Sequence, residues 1–258
     1  MREALPHIRA VKAIRFVVFV AALAACQLVA GQARALDPER PNHQHLHDVW
    51  QIDDGLPQNG VAAIVQGQDG YLWLGTQEGL VRYDGQEFVV FDKYNTEAML
   101  ESQVHALAIG NEGELWIGTE GGLLLYKRGV FQAFTEISGL PHHVITSIAV
   151  GYDESVWVGT RGGLARFGGG GTRQVWTDAE GLLSSHVRSI AVAINGDVWV
   201  ATGMDSVKRG LQRLKGDKLT TILSGEAQVG RGVSSLLPDV DGGLWAGTRG
   251  SSAGLIHV

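Results

Sequence analysis

A tryptophan returns in one five-residue setting five times along this chain: Leu72-Trp73-Leu74-Gly75-Thr76, Leu115-Trp116-Ile117-Gly118-Thr119, Val156-Trp157-Val158-Gly159-Thr160, Val198-Trp199-Val200-Ala201-Thr202 and Leu244-Trp245-Ala246-Gly247-Thr248. The intervals between successive tryptophans are 43, 41, 42 and 46 residues. Such a period marks a fold assembled from one repeated supersecondary unit. A unit of that length cannot bury its apolar face alone, so each copy must pack on its neighbours.

The agreement extends to either side of each Trp. Twelve residues before it stand Val61, Val104, Ile145, Val187 and Val233, and nine before it stand Ile64, Leu107, Ile148, Ile190 and Leu236, which predicts a first strand. Asp69-Gly70, Glu112-Gly113, Asn195-Gly196 and Asp241-Gly242 then supply turn residues suited to positive φ before the Trp strand. In the third repeat Asp153-Glu154 lacks the glycine, which predicts a different turn there. After the Trp strand, Gly79-Leu80, Gly122-Leu123, Gly163-Leu164, Gly210-Leu211 and Gly254-Leu255 open a third strand. A fourth is read at Phe88 to Phe91, Phe131 to Phe134 and Val175-Trp176.

Four short antiparallel strands per repeat, with no helical periodicity, define an all-β chain whose repeats are β-propeller blades over residues 48–258. Each Trp is expected between neighbouring blades, where an indole buries a large apolar area. The residues ten before each Trp, Ala63, Ala106, Ser147, Ser189 and Ser235, are all small, as required where inner strands crowd the axis. Trp50 precedes Gly55-Leu56-Pro57 just as Phe134 precedes Gly139-Leu140-Pro141. That match predicts a fourth strand around Trp50, able to complete the last blade and cover its edge.

Residues 1–15 carry Arg2, Arg9, Lys12 and Arg15 against Glu3, and an apolar run follows from Phe16 to Ala25. This is the pattern of an export signal over residues 1–35, with Ala33-Arg34-Ala35 as cleavage site and residues 36–47 as a linker. Lipidation at Cys26, after Leu23-Ala24-Ala25, and an uncleaved membrane anchor are the alternatives. Removing residues 1–35 leaves 16 basic against 26 acidic residues, so the exported segment lacks the basic excess that nucleic acid requires. Cys26 is the one cysteine, which excludes a disulfide framework and a cysteine-based zinc site within the chain.

The run Asp54-Gly55-Leu56-Pro57-Gln58-Asn59-Gly60-Val61, followed by Ile64, Asp69-Gly70, Leu72 to Thr76 and Gly79-Leu80, resembles the two-component regulator propeller repeat. The phrase returns from Ser138 to Thr160 and more loosely in the other repeats, and His47-Asp48-Val49-Trp50-Gln51 is similar to the segment that opens such sensors. The resemblance implies a periplasmic sensory region of a histidine kinase, hybrid kinase or diguanylate cyclase. Seven-bladed rings are usual in that family, so these five repeats are expected to be an incomplete portion of a larger propeller, with closure as a five-bladed ring the alternative. The expectation is an N-terminal portion without an output domain, periplasmic and membrane-tethered in the full-length protein. Its partners would be an extracytoplasmic ligand such as a glycan, a second copy in a homodimer, and C-terminal output domains or a partner protein.

No catalytic residue, metal set or cofactor motif is read from the chain, so it is expected to be no enzyme. His43, His45 and His47 alternate within a polar linker, and His142-His143 lies in a loop between blades. The glycine run 168–171 lacks the Lys-Ser/Thr of a phosphate loop. A propeller lyase or hydrolase of the streptogramin-lyase type is the competing reading, because such proteins also repeat Asp-Gly-x-x-Trp. What varies within the constant frame are the positions eleven before each Trp (Ala62, His105, Thr146, Arg188, Ser234) and four after it (Gln77, Glu120, Arg161, Gly203, Arg249). Variable chemistry on a fixed scaffold is how a propeller face acquires a ligand. His105, His143, Arg161, Arg188 and Arg249 are the ligand-contact candidates, because they donate charged or directional hydrogen bonds.

Overall fold

The structure is a computed structural model, and it describes residues 48–167, 173–203, 208–225, 229, 232–249 and 254–258. The export segment, the linker with its three histidines, and the glycine run 168–171 lie outside the described residues. Residues Trp50–Val258 form one compact unit.

Five antiparallel sheets follow one another. The first blade is β1 (Val61–Gln66), β2 (Leu72–Thr76), β3 (Leu80–Tyr83) and β4 (Phe88–Phe91), hydrogen-bonded in that order. The second is β5 (Val104–Ile109), β6 (Leu115–Thr119), β7 (Leu123–Lys127) and β8 (Val130–Phe134), and the third is β9 (Ile145–Val150), β10 (Val156–Thr160), β11 (Leu164–Phe167) and β12 (Arg173–Trp176). The fourth is β13 (Val187–Val192), β14 (Val198–Thr202), β15 (Gly210–Lys215) and β16 (Lys218–Ser224). The fifth has three strands among the described residues, β17 (Val233–Pro238), β18 (Leu244–Thr248) and β19 (Leu255–His257).

The first hairpin of each blade closes the same way. In blade one the Gly67 N–H donates to Tyr71 O at 2.8 Å and the Gly70 N–H to Gly67 O at 3.0 Å, and this pair of bonds recurs in the other four blades. The geometry needs a left-handed residue, which Gly70, Gly113, Gly196 and Gly242 supply at φ between +81° and +88°. The third blade makes the identical turn with Glu154 at φ +63°, against the expectation of a different one. The hydrogen bonds of the two flanking strands fix the turn, and the glutamate adopts what they demand.

In four of the five blades the Thr that ends the Trp strand, Thr76, Thr119, Thr160 or Thr248, closes the next turn. Its hydroxyl donates to the carbonyl of Gly79, Gly122, Gly163 or Gly254 at 2.8–3.1 Å, and so does its backbone N–H. The buried Thr202 hydroxyl has no partner among the described residues. A Cβ at Gly79, Gly122 or Gly163 would stand 2.6 Å from a fourth-strand carbonyl oxygen. Close backbone approach is thus the reason for glycine before the third-strand leucine.

Core clusters form between blades. Trp73 packs with Leu115, Ile117 and Leu124 of the second blade, Trp116 with Val156 and Val158 of the third, Trp157 with Val198 and Val200 of the fourth, and Trp199 with Leu244 and Ala246 of the fifth. At the ends this cover stops. Ile64 of β1 is 63% exposed where its counterpart Ile190 is 7% exposed, and Trp245 is 37% exposed where Trp157 is 4% exposed. The five blades therefore form an open array with an uncovered apolar face at each end, an incomplete propeller rather than a closed five-bladed ring.

One expectation fails at the N-terminal end. Trp50 lies outside any strand, and its ring sits 5.3 Å from that of Tyr83 in the first blade, so it completes no strand of the last blade. The Gly-Leu turn after it does form as in the inner blades: Gly55, Gly139 and Gly181 are left-handed, and Leu56, Leu140 and Leu182 are buried. The turn is local, whereas a strand needs a partner edge.

Candidate functional site

The ladder between the first and second strands slips by one residue at the same place in every blade. Val61 pairs with Thr76 and Ala63 with Gly75, leaving Ala62 as the extra residue of a β-bulge; His105, Thr146, Arg188 and Ser234 are the extra residues of the other four. A bulge re-aims the side chain it carries. The spacing of three between buried Val104 and Leu107 has the same cause, because a regular strand alternates every two residues. Opposite each bulge, the second strand ends beside the segment leading into the first. Glu120, Arg161, Gly203 and Arg249 donate backbone N–H bonds of 2.8–3.2 Å to the carbonyls of Gln103, Val144, His186 and Gly232.

The two variable series thereby meet. His105, Thr146, Arg188 and Ser234 from the bulges, Arg161 and Arg249 from the second-strand ends, and Val144 and His186 from the approach to the first strand line a cavity of about 370 Å³. Four of the five residues chosen from sequence therefore share one cavity. His143 does not line it. It borders a neighbouring cavity of about 480 Å³ with Glu101 and Glu120, and Arg161 and Val144 stand between the two. Sequence reading did not select His186, although it occupies a third recurrent position, thirteen before its Trp, where the other repeats carry Gly60, Gln103, Val144 and Gly232.

Charge is unevenly spread across this face. Glu120 Oε1 lies 3.5 Å from His105 Nε2 and 3.9 Å from the Arg161 guanidinium. The buried His105 Nε2 makes no hydrogen bond among the described residues. Burial, then the nearby charge of Arg249, pushes Arg188 below the ordinary guanidinium value. None of the residues lining the larger group of arginines carries a carboxylate.

The His142-His143 loop is organised by Glu136. Glu136 Oε1 accepts from His143 Nδ1 at 3.1 Å and from the His143 backbone N–H at 3.2 Å, while His142 Nδ1 accepts the Val144 N–H at 3.0 Å. The hydrogen bond from His143 holds the Glu136 carboxyl below its ordinary value. Ligand atoms of Glu136, His142 and His143 lie within 4.8 Å of one another, so among the described residues this is the group that could hold a metal ion. A metal there would have to displace the bonds that now occupy both Nδ1 atoms.

A third cavity, of about 450 Å³, opens between blades three and four near their first hairpins. It is bordered by Trp157, Arg166, Ile194 and Leu214, with the Arg166 guanidinium 5.2 Å from the centre of the Trp157 ring. The stacked arginine is held by Asp153 at 2.9 Å.

Four-stranded blades joined through their inner strands, with variable polar residues gathered on one face, define the class: a β-propeller. Within it, residues 55–78 match the family described as Two component regulator propeller, a stretch that runs from the Gly55 turn through the end of β2. The chain superposes, over 76% of its own length, on 27% of the extracellular domain of a Bacteroides thetaiotaomicron protein assigned as a hybrid two component system, with 25% identity and a TM-score of 0.63. The chain therefore spans about a quarter of that domain's length. Virginiamycin B lyase from Staphylococcus aureus is similar over 79% of this chain and 71% of its own, at 13% identity and TM-score 0.58. PorZ, a surface component of the type-IX secretion system of Porphyromonas gingivalis, is similar over 77% and 32%, at 16% identity and TM-score 0.55. These last two are likenesses of fold. No curated protein matches the chain in sequence.

Proposed function

We propose that this chain is the exported, ligand-binding sensor propeller of a two-component or diguanylate-cyclase signalling receptor, with its output carried by C-terminal domains or a partner protein. The observation that carries this reading is the convergence of the variable bulge and strand-end residues on one cavity of about 370 Å³, a size suited to a small ligand. The regulator-propeller match at residues 55–78 and the likeness to an extracellular two component system domain support it. A ligand shifts a receptor only through different affinity for its states. The open end faces of the blade array would be covered by further blades, and a homodimer would couple two such arrays. On this reading the chain works outside the cytoplasm, is membrane-tethered in the full-length protein and catalyses nothing.

The test is to fractionate cells and probe with an antibody raised against residues 50–258. A membrane-bound product well above 27.6 kDa is expected. A soluble product of that mass that turns over a streptogramin, with turnover lost in His105→Ala, would replace the sensor reading with the lyase one.

A further inference from the structure

The face that carries the proposed sensor function has a chemical preference that follows from which of its groups already have partners. Arg188 and Arg249 point charge into the cavity, and each lacks an ion pair among the described residues. Arg188 is half-buried and Arg249 exposed, and holding the partly desolvated Arg188 guanidinium beside the like charge of Arg249 costs free energy. The acidic balance of the chain makes the cluster stand out further, since acidic residues outnumber basic ones by 27 to 21, yet none lines this cavity. Arg161, the third guanidinium, is held only loosely by Glu120 at 3.9 Å. Its reach toward the cavity centre is therefore open.

The neutral groups add a second constraint. Thr146 donates its hydroxyl proton to Val187 O at 2.7 Å, and Ser234 donates its own to Gly247 O at 3.2 Å. With both protons committed, the two oxygens can only accept from whatever enters the cavity. A ligand that satisfies the whole lining must present an oxyanion to the arginines and hydroxyl donors beside it.

Resting on the sensor reading above, we infer that the cavity between Arg161, Arg188 and Arg249 binds the oxyanion group of a hydroxylated small ligand, a sugar bearing a carboxylate or a sulfate or phosphate ester. The arginines take the oxyanion through paired N–H donors, as guanidinium does with planar or tetrahedral oxyanions. Thr146 and Ser234 accept from the ring hydroxyls, and Glu120 with His105 closes the side toward the second blade. An oxyanion placed between the guanidinia would relieve their mutual repulsion.

The experiment measures binding heats and thermal midpoints of the purified full-length chain with galacturonate, galactose 6-sulfate, galactose 6-phosphate, galactose and inorganic sulfate, each against chloride at matched ionic strength. At least one charged sugar is expected to bind about tenfold or more tighter than galactose, the scale of a charge-assisted hydrogen bond, and inorganic sulfate to compete with it. The three sugars separate carboxylate from sulfate and phosphate recognition. Arg188→Gln and Arg249→Gln should each lose that preference while melting, without ligand, at or above the wild-type midpoint, because a repulsion has been removed. Lys127→Gln, on the outer part of blade two, should change neither. The inference fails if galactose binds as well as the charged sugars, if no probe binds, or if the arginine variants keep the preference or melt below wild type. Galactose binding unaffected by the arginine variants would leave the sensor reading intact, and the fractionation test above decides that reading independently.

Discussion

Glu154 holds φ +63° at the turn position where Gly196, one blade later, holds φ +83°. Both residues close the turn with an N–H bond to the carbonyl three residues back, from Glu154 to Gly151 at 3.1 Å and from Gly196 to Ala193 at 2.9 Å. A left-handed conformation costs a residue with a Cβ roughly 1–2 kcal/mol, and glycine gives part of this back through its freer unfolded chain. Glu154→Gly should accordingly stabilise the protein by roughly 0.5–1 kcal/mol. A urea midpoint at or below that of wild type would mean that the exposed glutamate side chain compensates for its backbone.

Gly118 is small for a different reason. A Cβ built there would lie 2.6 Å from Ile145 Cγ2, on the first strand of the next blade. Gly118→Ala should cost about 1–3 kcal/mol by overpacking. A double-mutant cycle with Ile145→Ala isolates the cause, since truncating Ile145 removes the 2.6 Å contact and leaves its Cβ at 3.0 Å. The pair should cost less than the sum of its parts. Strict additivity would place the cost in the backbone instead.

The repeats were legible because each sequence signal maps to a local interaction: left-handed glycines to turns, the Thr hydroxyl to the following turn, the Trp to the next blade. Features that depend on pairing between distant segments were harder to read. β16 was not read from sequence, since Leu219 and Ile222 are set among Lys and Thr and carry no aromatic like Phe91 or Trp176. Trp50 matched its counterparts in sequence but has no strand edge to join. The site was half legible. Positional variation selected Arg161, Arg188, Arg249 and His105, but the bulge that turns four of its five residues, His105, Thr146, Arg188 and Ser234, toward one cavity is a relation between two strands. The spacing of three between Val104 and Leu107 was its trace in the sequence.

The tryptophans should differ in cost according to their cover. Trp157 is buried, stacks on Trp176 with centroids 5.4 Å apart, and donates from Nε1 to Ser155 Oγ at 3.0 Å. Trp157→Ala should cost about 3–5 kcal/mol, the range for a buried aromatic truncated to alanine. Trp245 contacts His257 but has one face uncovered, so Trp245→Ala should cost less than half as much. Thermal midpoints of the two variants test this directly, and equal losses would mean that Trp245 is covered in solution by something the five blades do not supply.

Acid should weaken the loop between blades two and three through His142. Burial lowers its pKa first, with the charges of His143 and Arg161 adding to the effect and Glu136 opposing it. Its Nδ1 accepts the Val144 N–H, so protonation there breaks a bond as well as placing a charge. Because the folded value lies below 6.5, the unfolded chain takes up the proton first. The contribution of His142 is complete above pH 6.5 and is lost as pH falls from there through the folded value. Glu136 follows further down: its lowered carboxyl stabilises the fold above pH 4.5 and releases that stability as pH falls through its own folded value. His142→Asn keeps an acceptor for Val144 and cannot titrate, so its thermal midpoint should fall less steeply than that of wild type below pH 6.5, while both curves still drop together at the Glu136 step. Parallel curves down to that step would mean that His142 is equally accessible to protons in the folded and unfolded chain.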